Sequence, residues 1–280
     1  MILDSHCHAG VGDRIGPWIT GSPMGAYLRR ADAAGITRTV LFAPLSQDYE
    51  SANRHVAEIV RQSPTRFLGF VFLHPVADRG RVARAVATAV DRWGFRGIKV
   101  HWRDGRMTRE IAEVAQARRL PVIYDPGGDI GTVEAMARAY PDLAWIIPHL
   151  SSFADDWKAQ VAFVDLLCRL PNVFTDTSGV RYFDILVDAV RRAGAAKILF
   201  GSDGPFLHPG VELAKVCALE LSSEERSLVL GRNLQRLVST VRSISTPRRA
   251  PHERRRAERQ PPQRRGVPEA VATPTVPIVM

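Results

Sequence analysis

The pair His6-x-His8 follows the first apolar run of the chain, Ile2 to Ser5. In a strand, side chains two apart share a face, so both imidazoles project together while Cys7 projects to the other side. Two imidazoles on one face can grip one divalent ion. A lone pair of this kind is common on solvated surfaces, so its meaning depends on what else the fold brings to it. Other groups able to ligate metal, move protons or bind anions stand at the ends of later apolar runs. They are His74 before Pro75, Lys99 and His101, Asp125, His149, and Asp203. Most of the eight histidines fall at such ends. That concentration points to one shared site.

Eight short apolar runs could position these groups: residues 2–5, 39–43, 67–73, 97–101, 121–125, 144–149, 173–176 and 197–202. Their starts are 23 to 37 residues apart, the length of a strand plus a helix. The runs are continuous rather than alternating, as in parallel strands covered on both faces. The segments between them carry helix signals. Ser22-Pro23 reads as a helix start, Gly35 as its stop, and Val82, Val86, Ala89, Val90 and Trp93 keep a helical spacing. Thr108 reads as an N-cap and Ser222-x-x-Glu225 as a capping box. Eight such units predict an α/β fold of the (β/α)8 TIM-barrel type, whose chemistry sits at the C-terminal ends of the strands. A doubly wound open sheet is the alternative, but Ala9-Gly10-Val11-Gly12-Asp13 is a poor match to its phosphate-binding turn.

The chain has 280 residues, 45% apolar and 24% charged, enough for one large domain. No stretch approaches the roughly 20 apolar residues of a membrane span, and the N-terminus has no signal-like segment, so a cytoplasmic protein is expected. Three scattered cysteines, Cys7, Cys168 and Cys217, fit neither a disulfide framework nor a structural zinc cluster. The net charge of +9 is uneven: residues 241–280 hold nine arginines against three glutamates, a net of +6 that leaves +3 for the body. The expected division is a barrel over 1–240 and an Arg- and Pro-rich disordered tail over 241–280. A charge carried by the tail is a weak argument for nucleic acid, so a small-molecule substrate is the expected partner, with a homo-oligomer left open.

Several of these motifs, in this order, resemble the amidohydrolase superfamily, in the branch that contains aminocarboxymuconate semialdehyde decarboxylase and related hydrolases. They are Asp4-Ser5-His6-Cys7-His8, Gly97-Ile98-Lys99-Val100-His101, Pro148-His149, Gly201-Ser202-Asp203-Gly204-Pro205-Phe206, and Gly231-Arg232-Asn233-Leu234-Gln235-Arg236-Leu237. The resemblance implies one divalent metal ion, zinc with manganese as the alternative. By position, His6, His8 and Asp203 would be ligands and His149 the catalytic histidine, with Asp203 also able to take a proton from the attacking water. Such a metal lowers the pKa of a bound water to about 7.

The chain departs from the family pattern at strand five, where Pro121 to Gly128 places Asp125 at the position of a histidine ligand. Asp125 could complete the metal site or serve the turn before Pro126, and His101 is a second candidate to complete it. In binuclear relatives a strand-four lysine is carbamylated; here Lys99 is expected instead to hold a substrate carboxylate or to pair with Asp125. Lys99, His101 and Arg103 are thus the expected substrate-binding residues, with Trp102, Arg181, Tyr182, Phe206 and His208 as further wall candidates. His74 is expected to be a satisfied strand-end histidine. Three functions follow: a metal-dependent hydrolase of an ester, lactone or amide, first; a nonoxidative decarboxylase as the alternative; and a non-catalytic binding protein on a decayed barrel.

Overall fold

A computed structural model describes residues 1–10, 12, 24–153 and 156–241. The elements run β1 (Leu3–His8), α1 (Gly25–Ala33), β2 (Arg38–Phe42), α2 (Tyr49–Gln62), β3 (Phe67–Gly69), β4 (Val71–Phe72), α3 (Val82–Ala87) and β5 (Ile98–His101). They continue with α4 (Arg109–Arg118), β6 (Val122–Asp125), α5 (Ile130–Ala139), β7 (Trp145–Ile147), α6 (Trp157–Arg169) and β8 (Val173–Asp176). The last are α7 (Phe183–Ala193), β9 (Ile198–Leu199), α8 (Pro209–Ala218), α9 (Ser223–Ser227) and α10 (Asn233–Ser239). All strand pairs are parallel and follow chain order.

The expected run over 67–73 forms the third barrel strand as two pieces, β3 and β4, with Phe70 between them. Its amide still donates to the Leu41 carbonyl at 2.8 Å, so the ladder continues across the break. Gly97 opposite has no side chain because a Cβ there would stand 2.2 Å from the Phe70 ring. The last strand meets the first through Ser5 N–H donating to Phe200 O at 2.9 Å and His8 N–H donating to Gly204 O at 2.6 Å. The result is a closed (β/α)8 barrel, the architecture expected from the eight runs.

Several helices begin at a side-chain cap. The Thr108 hydroxyl accepts the Ile111 N–H at 3.4 Å, and Ser222 with Glu225 forms a reciprocal capping box. Asp48, Asp129 and Asp156 cap α2, α5 and α6 in the same way. The helix expected over residues 82–93 departs from its 3.6-residue pattern. After α3 the chain widens into a π turn over Thr88–Arg92, which keeps Ala89 and Val90 buried while leaving Trp93 half-buried. The Ser22-Pro23 start and the tail beyond Val241 lie outside the described residues. No helix among those residues is long and apolar enough to cross a membrane.

Candidate metal centre

β1 does not alternate simply. Asp4 accepts a 2.6 Å hydrogen bond from Tyr27 of α1, and so faces the helical layer, whereas His6, two residues on, faces the barrel interior. The register slips between Asp4 and Cys7, a bulge that re-aims the strand just before its ligating end. Asp4 then locks β1 to the start of the last loop, accepting the Ser202 N–H at 2.9 Å and the His6 N–H at 3.1 Å. Burial pushes its pKa up to about 6, against the lowering effect of its hydrogen bonds.

The nitrogens of three histidines can be assigned from their partners. A backbone carbonyl can only accept, so His8 Nδ1, 3.0 Å from Ala43 O, carries a proton; so does His149 Nδ1, 2.7 Å from Ser178 O. His6 Nδ1 lies 2.8 Å from Asp176 Oδ2. Despite burial, His6, His149 and Ser178 hold Asp176 well below the usual carboxylate range, so this carboxylate also accepts. All three histidines therefore keep an Nε2 lone pair. Two of those lone pairs converge on one carboxylate oxygen: Asp203 Oδ1 is 3.5 Å from His6 Nε2 and 3.3 Å from His8 Nε2.

Protonating the imidazoles would relieve that convergence, but burial opposes it. The His6 pKa is pushed down to about 4 by burial and by the Lys99 ammonium, and that of His8 is lowered chiefly by burial. Three electron-rich atoms thus face one another with no proton between them. Ligand atoms of His6, His8 and Asp203 lie within 4.8 Å of one another, a buried donor set that fits a divalent cation. Asp176 holds the His6 ring in the ligating tautomer, the usual service of a carboxylate behind a metal-bound histidine.

His149 follows Pro148 in a turn with strained backbone. His149, Leu150 and Ser151 have φ of 59°, 52° and 79°, and Asp203 has φ of 52°. Left-handed non-glycine residues cost about 1–3 kcal/mol each and persist where surrounding bonds impose them. Here Gln160 Nε2 donates to His149 O at 3.2 Å and to Ser152 O at 2.8 Å, and Gly128 N–H donates to Ser151 O at 2.8 Å. The strain delivers the His149 ring to 4.9 Å from the His6 ring, with Phe153 edge-on behind it at 5.1 Å.

Of the residues singled out in the sequence, His6, His8 and Asp203 come together, with His149 beside them. Asp125 does not join that group among the described residues. Its Oδ2 is 3.2 Å from His101 Nε2 and its Oδ1 accepts the Gly127 N–H at 2.9 Å, which makes it a turn residue as well as a histidine's partner. His101 Nδ1 in turn accepts the Arg103 N–H at 3.1 Å, so its proton is on the Nε2 that faces Asp125. Desolvation raises the Asp125 pKa, but His101 and the cations around it win and hold it far below the usual range.

Lys99 is buried and makes no ion pair among the described residues, so the anticipated pairing with Asp125 is not present; His101 has taken that place. Its Nζ lies 5.0 Å from the centroid of the Phe42 ring, which also packs against His6 and His8. Burial lowers its pKa, against the opposing pull of Asp125, Asp176 and Asp203. Arg103 lies over the exposed Trp102 ring at 4.8 Å. Phe206 stands 5.0 Å from the His8 ring. His74 Nδ1 accepts the Val76 and Ala77 N–H groups at 3.2 Å, the satisfied strand-end role expected of it.

Sequence reasoning missed Asp176 and Ser178. The signal was present: Thr175-Asp176-Thr177-Ser178 is a polar run at the end of the seventh barrel strand, which, like the second, has no rim residue among those singled out. No curated protein is similar in sequence at a meaningful level. Solved structures are similar in fold. 5-Carboxyvanillate decarboxylase from Sphingomonas paucimobilis superposes with a TM-score of 0.68 at 14% identity, covering 85% of this chain and 98% of the other. A candidate 2-pyrone-4,6-dicarboxylic acid hydrolase from Pseudomonas putida gives 0.68 at 21% identity, with 85% and 97% covered. Dihydroxybenzoic acid decarboxylase from a Polaromonas species, solved with manganese and 2-nitroresorcinol, gives 0.64 at 20% identity, with 85% and 96% covered. The amidohydrolase family profile matches residues 4–239, a span that contains every residue of the donor set. The chain accordingly belongs to the amidohydrolase family, whose members on this barrel are metal-dependent enzymes.

Proposed function

We propose that the protein is a metal-dependent hydrolase acting on a small carboxylated ester, lactone or amide. The observation that carries this reading is the set of lone pairs on His6, His8 and Asp203, turned inward beside a fixed His149. A divalent ion held there, zinc or manganese, would polarise the substrate carbonyl and make a water nucleophilic near neutral pH. Asp203, 7% exposed, turns Oδ1 into the same space and, as a carboxylate, would accept a proton from the attacking water. His149 keeps its Nδ1 proton on Ser178 O and presents Nε2 to the site, where it orients the water, or takes a proton from it and passes that proton to the leaving group. Lys99 supplies a buried positive charge for a substrate carboxylate, with His101 and Arg103 at the outer edge. Asp125 has its work in fixing His101 and the Gly127 turn, so three protein ligands suffice for the metal.

Nonoxidative decarboxylation is the second reading. Aromatic-acid decarboxylases stand among the structural neighbours, and the aromatic faces of Phe153, Phe206 and Trp102 would suit a flat ring. In that case Lys99 holds the departing carboxylate and His149 manages the ring proton. Turnover of a panel of lactones and aromatic carboxylates in water labelled with heavy oxygen separates the two. Label in the product supports hydrolysis; carbon dioxide with no label in the organic product supports the lyase and overturns the first reading.

A further inference from the structure

A cavity of about 560 Å³ opens on the outer flank of the barrel, between α2 and α3. It is apart from the metal centre. Phe72 points inward, towards Phe42, so its neighbours Val71 and Leu73 point outward and form the cavity's apolar floor. Ala85 and Trp93 add an apolar wall, the latter on the far side of the π turn. Such a widened turn is a recurrent feature of binding sites.

The rim is cationic. Arg54 is paired with Glu50 at 3.4 Å, and Arg81 with Asp78 at 3.6 Å. Arg84 and Arg92 also line the cavity but make no ion pair among the described residues, which leaves two guanidinium forks over an apolar floor. We propose that this cavity is a second ligand site, for a small amphipathic carboxylate whose flat apolar body lies against Trp93 and the Val71–Leu73 floor while its anionic end meets Arg84 and Arg92. Guanidinium matches a carboxylate with two parallel hydrogen bonds, which a neutral group of the same shape cannot accept as well. The inference does not rest on the reaction proposed for the metal centre.

Calorimetric titration of the full-length, metal-loaded protein with 2-naphthoate tests it, with 2-naphthamide as the neutral control. The expected result is saturable binding of the acid and at least about tenfold weaker binding of the amide. The doubly substituted Arg84→Ala/Arg92→Ala protein, whose changes are on exposed side chains, should lose the acid by a similar factor while keeping its metal content. Ala85→Phe, which fills the cavity from its wall, should weaken acid and amide alike. Equal affinity of the Arg84→Ala/Arg92→Ala protein and the wild type would overturn the proposal by placing the anion elsewhere, for instance at Lys99. Absence of saturable binding to the wild type would overturn it as well.

Discussion

Replacing Asp176 by asparagine changes one atom and should disable the metal centre. Asp176 Oδ1 accepts the Ser178 N–H at 3.1 Å, the Ser178 hydroxyl at 2.6 Å and the His149 N–H at 3.4 Å. In Asp176→Asn the amide oxygen must take that position, since an NH2 group there would face three donors. The NH2 is then aimed at His6 Nδ1, 2.8 Å away in the wild type. Two donors cannot share that contact, so His6 either breaks it or moves its proton to Nε2, the nitrogen the metal needs. Loss of the carboxylate behind a ligating histidine typically costs about 10–100-fold in metal affinity. The lost anionic charge and the wrong tautomer act in the same direction, so the upper part of that range is expected. Asp176→Ala should be milder, because His6 can keep its Nδ1 proton on a water. Competition against a chromophoric chelator, with zinc and separately with manganese, measures both variants. Wild-type metal affinity in Asp176→Asn would refute the tautomer argument.

His149→Asn should keep the metal and lose about 10²–10⁴ in turnover, because its Nε2 faces the site while its Nδ1 is bound to Ser178; parallel metal analysis and kinetics check this, and lost metal would contradict it. In the metal-free protein, His6 refuses a proton between its ordinary 6.5 and about 4 that the unfolded chain accepts, so it makes stability fall as pH drops through that window. Asp4 acts oppositely, holding a proton between 3.8 and about 6 that the unfolded chain has released. Denaturant melts of metal-free Asp4→Asn should therefore show a steeper loss of stability from pH 6 to 4 than the wild type, and an unchanged slope would count against these assignments. Asn233 is buried and donates to Ala195 O and Ile198 O, both at 2.8 Å, so Asn233→Ala should cost roughly 2–3 kcal/mol. A thermal melt of metal-loaded protein should drop by about 4–12 °C, with metal content unchanged.

Much of the barrel was legible because each signal was local. Apolar runs of four to seven residues, Thr108 at a helix start and the Ser222–Glu225 box all act within one turn or one strand. The donor pair His6 and His8 was legible for the same reason, a spacing of two in a strand. The break at Phe70 was not, since it depends on Gly97 making room on a neighbouring strand. Nor was the bulge that turns Asp4 outward and His6 inward, which is imposed by Tyr27 on one side and Ser202 on the other. Asp176 was invisible as a positioning group because its partner lies 170 residues away. Asp125 illustrates the reverse difficulty. Position suggested a ligand; its two oxygens also meet His101 Nε2 and the Gly127 N–H, contacts that only three-dimensional neighbours reveal.

The central claim is that His6, His8 and Asp203 hold one divalent ion without Asp125. Elemental analysis of metal per chain tests it most directly, on protein purified without chelators or a histidine tag and incubated with zinc or manganese before desalting. The account predicts about one ion per chain in the wild type and in Asp125→Ala, and loss of the ion in Asp203→Ala. A wild type that binds none after incubation, or an ion retained in Asp203→Ala and lost in Asp125→Ala, would contradict it.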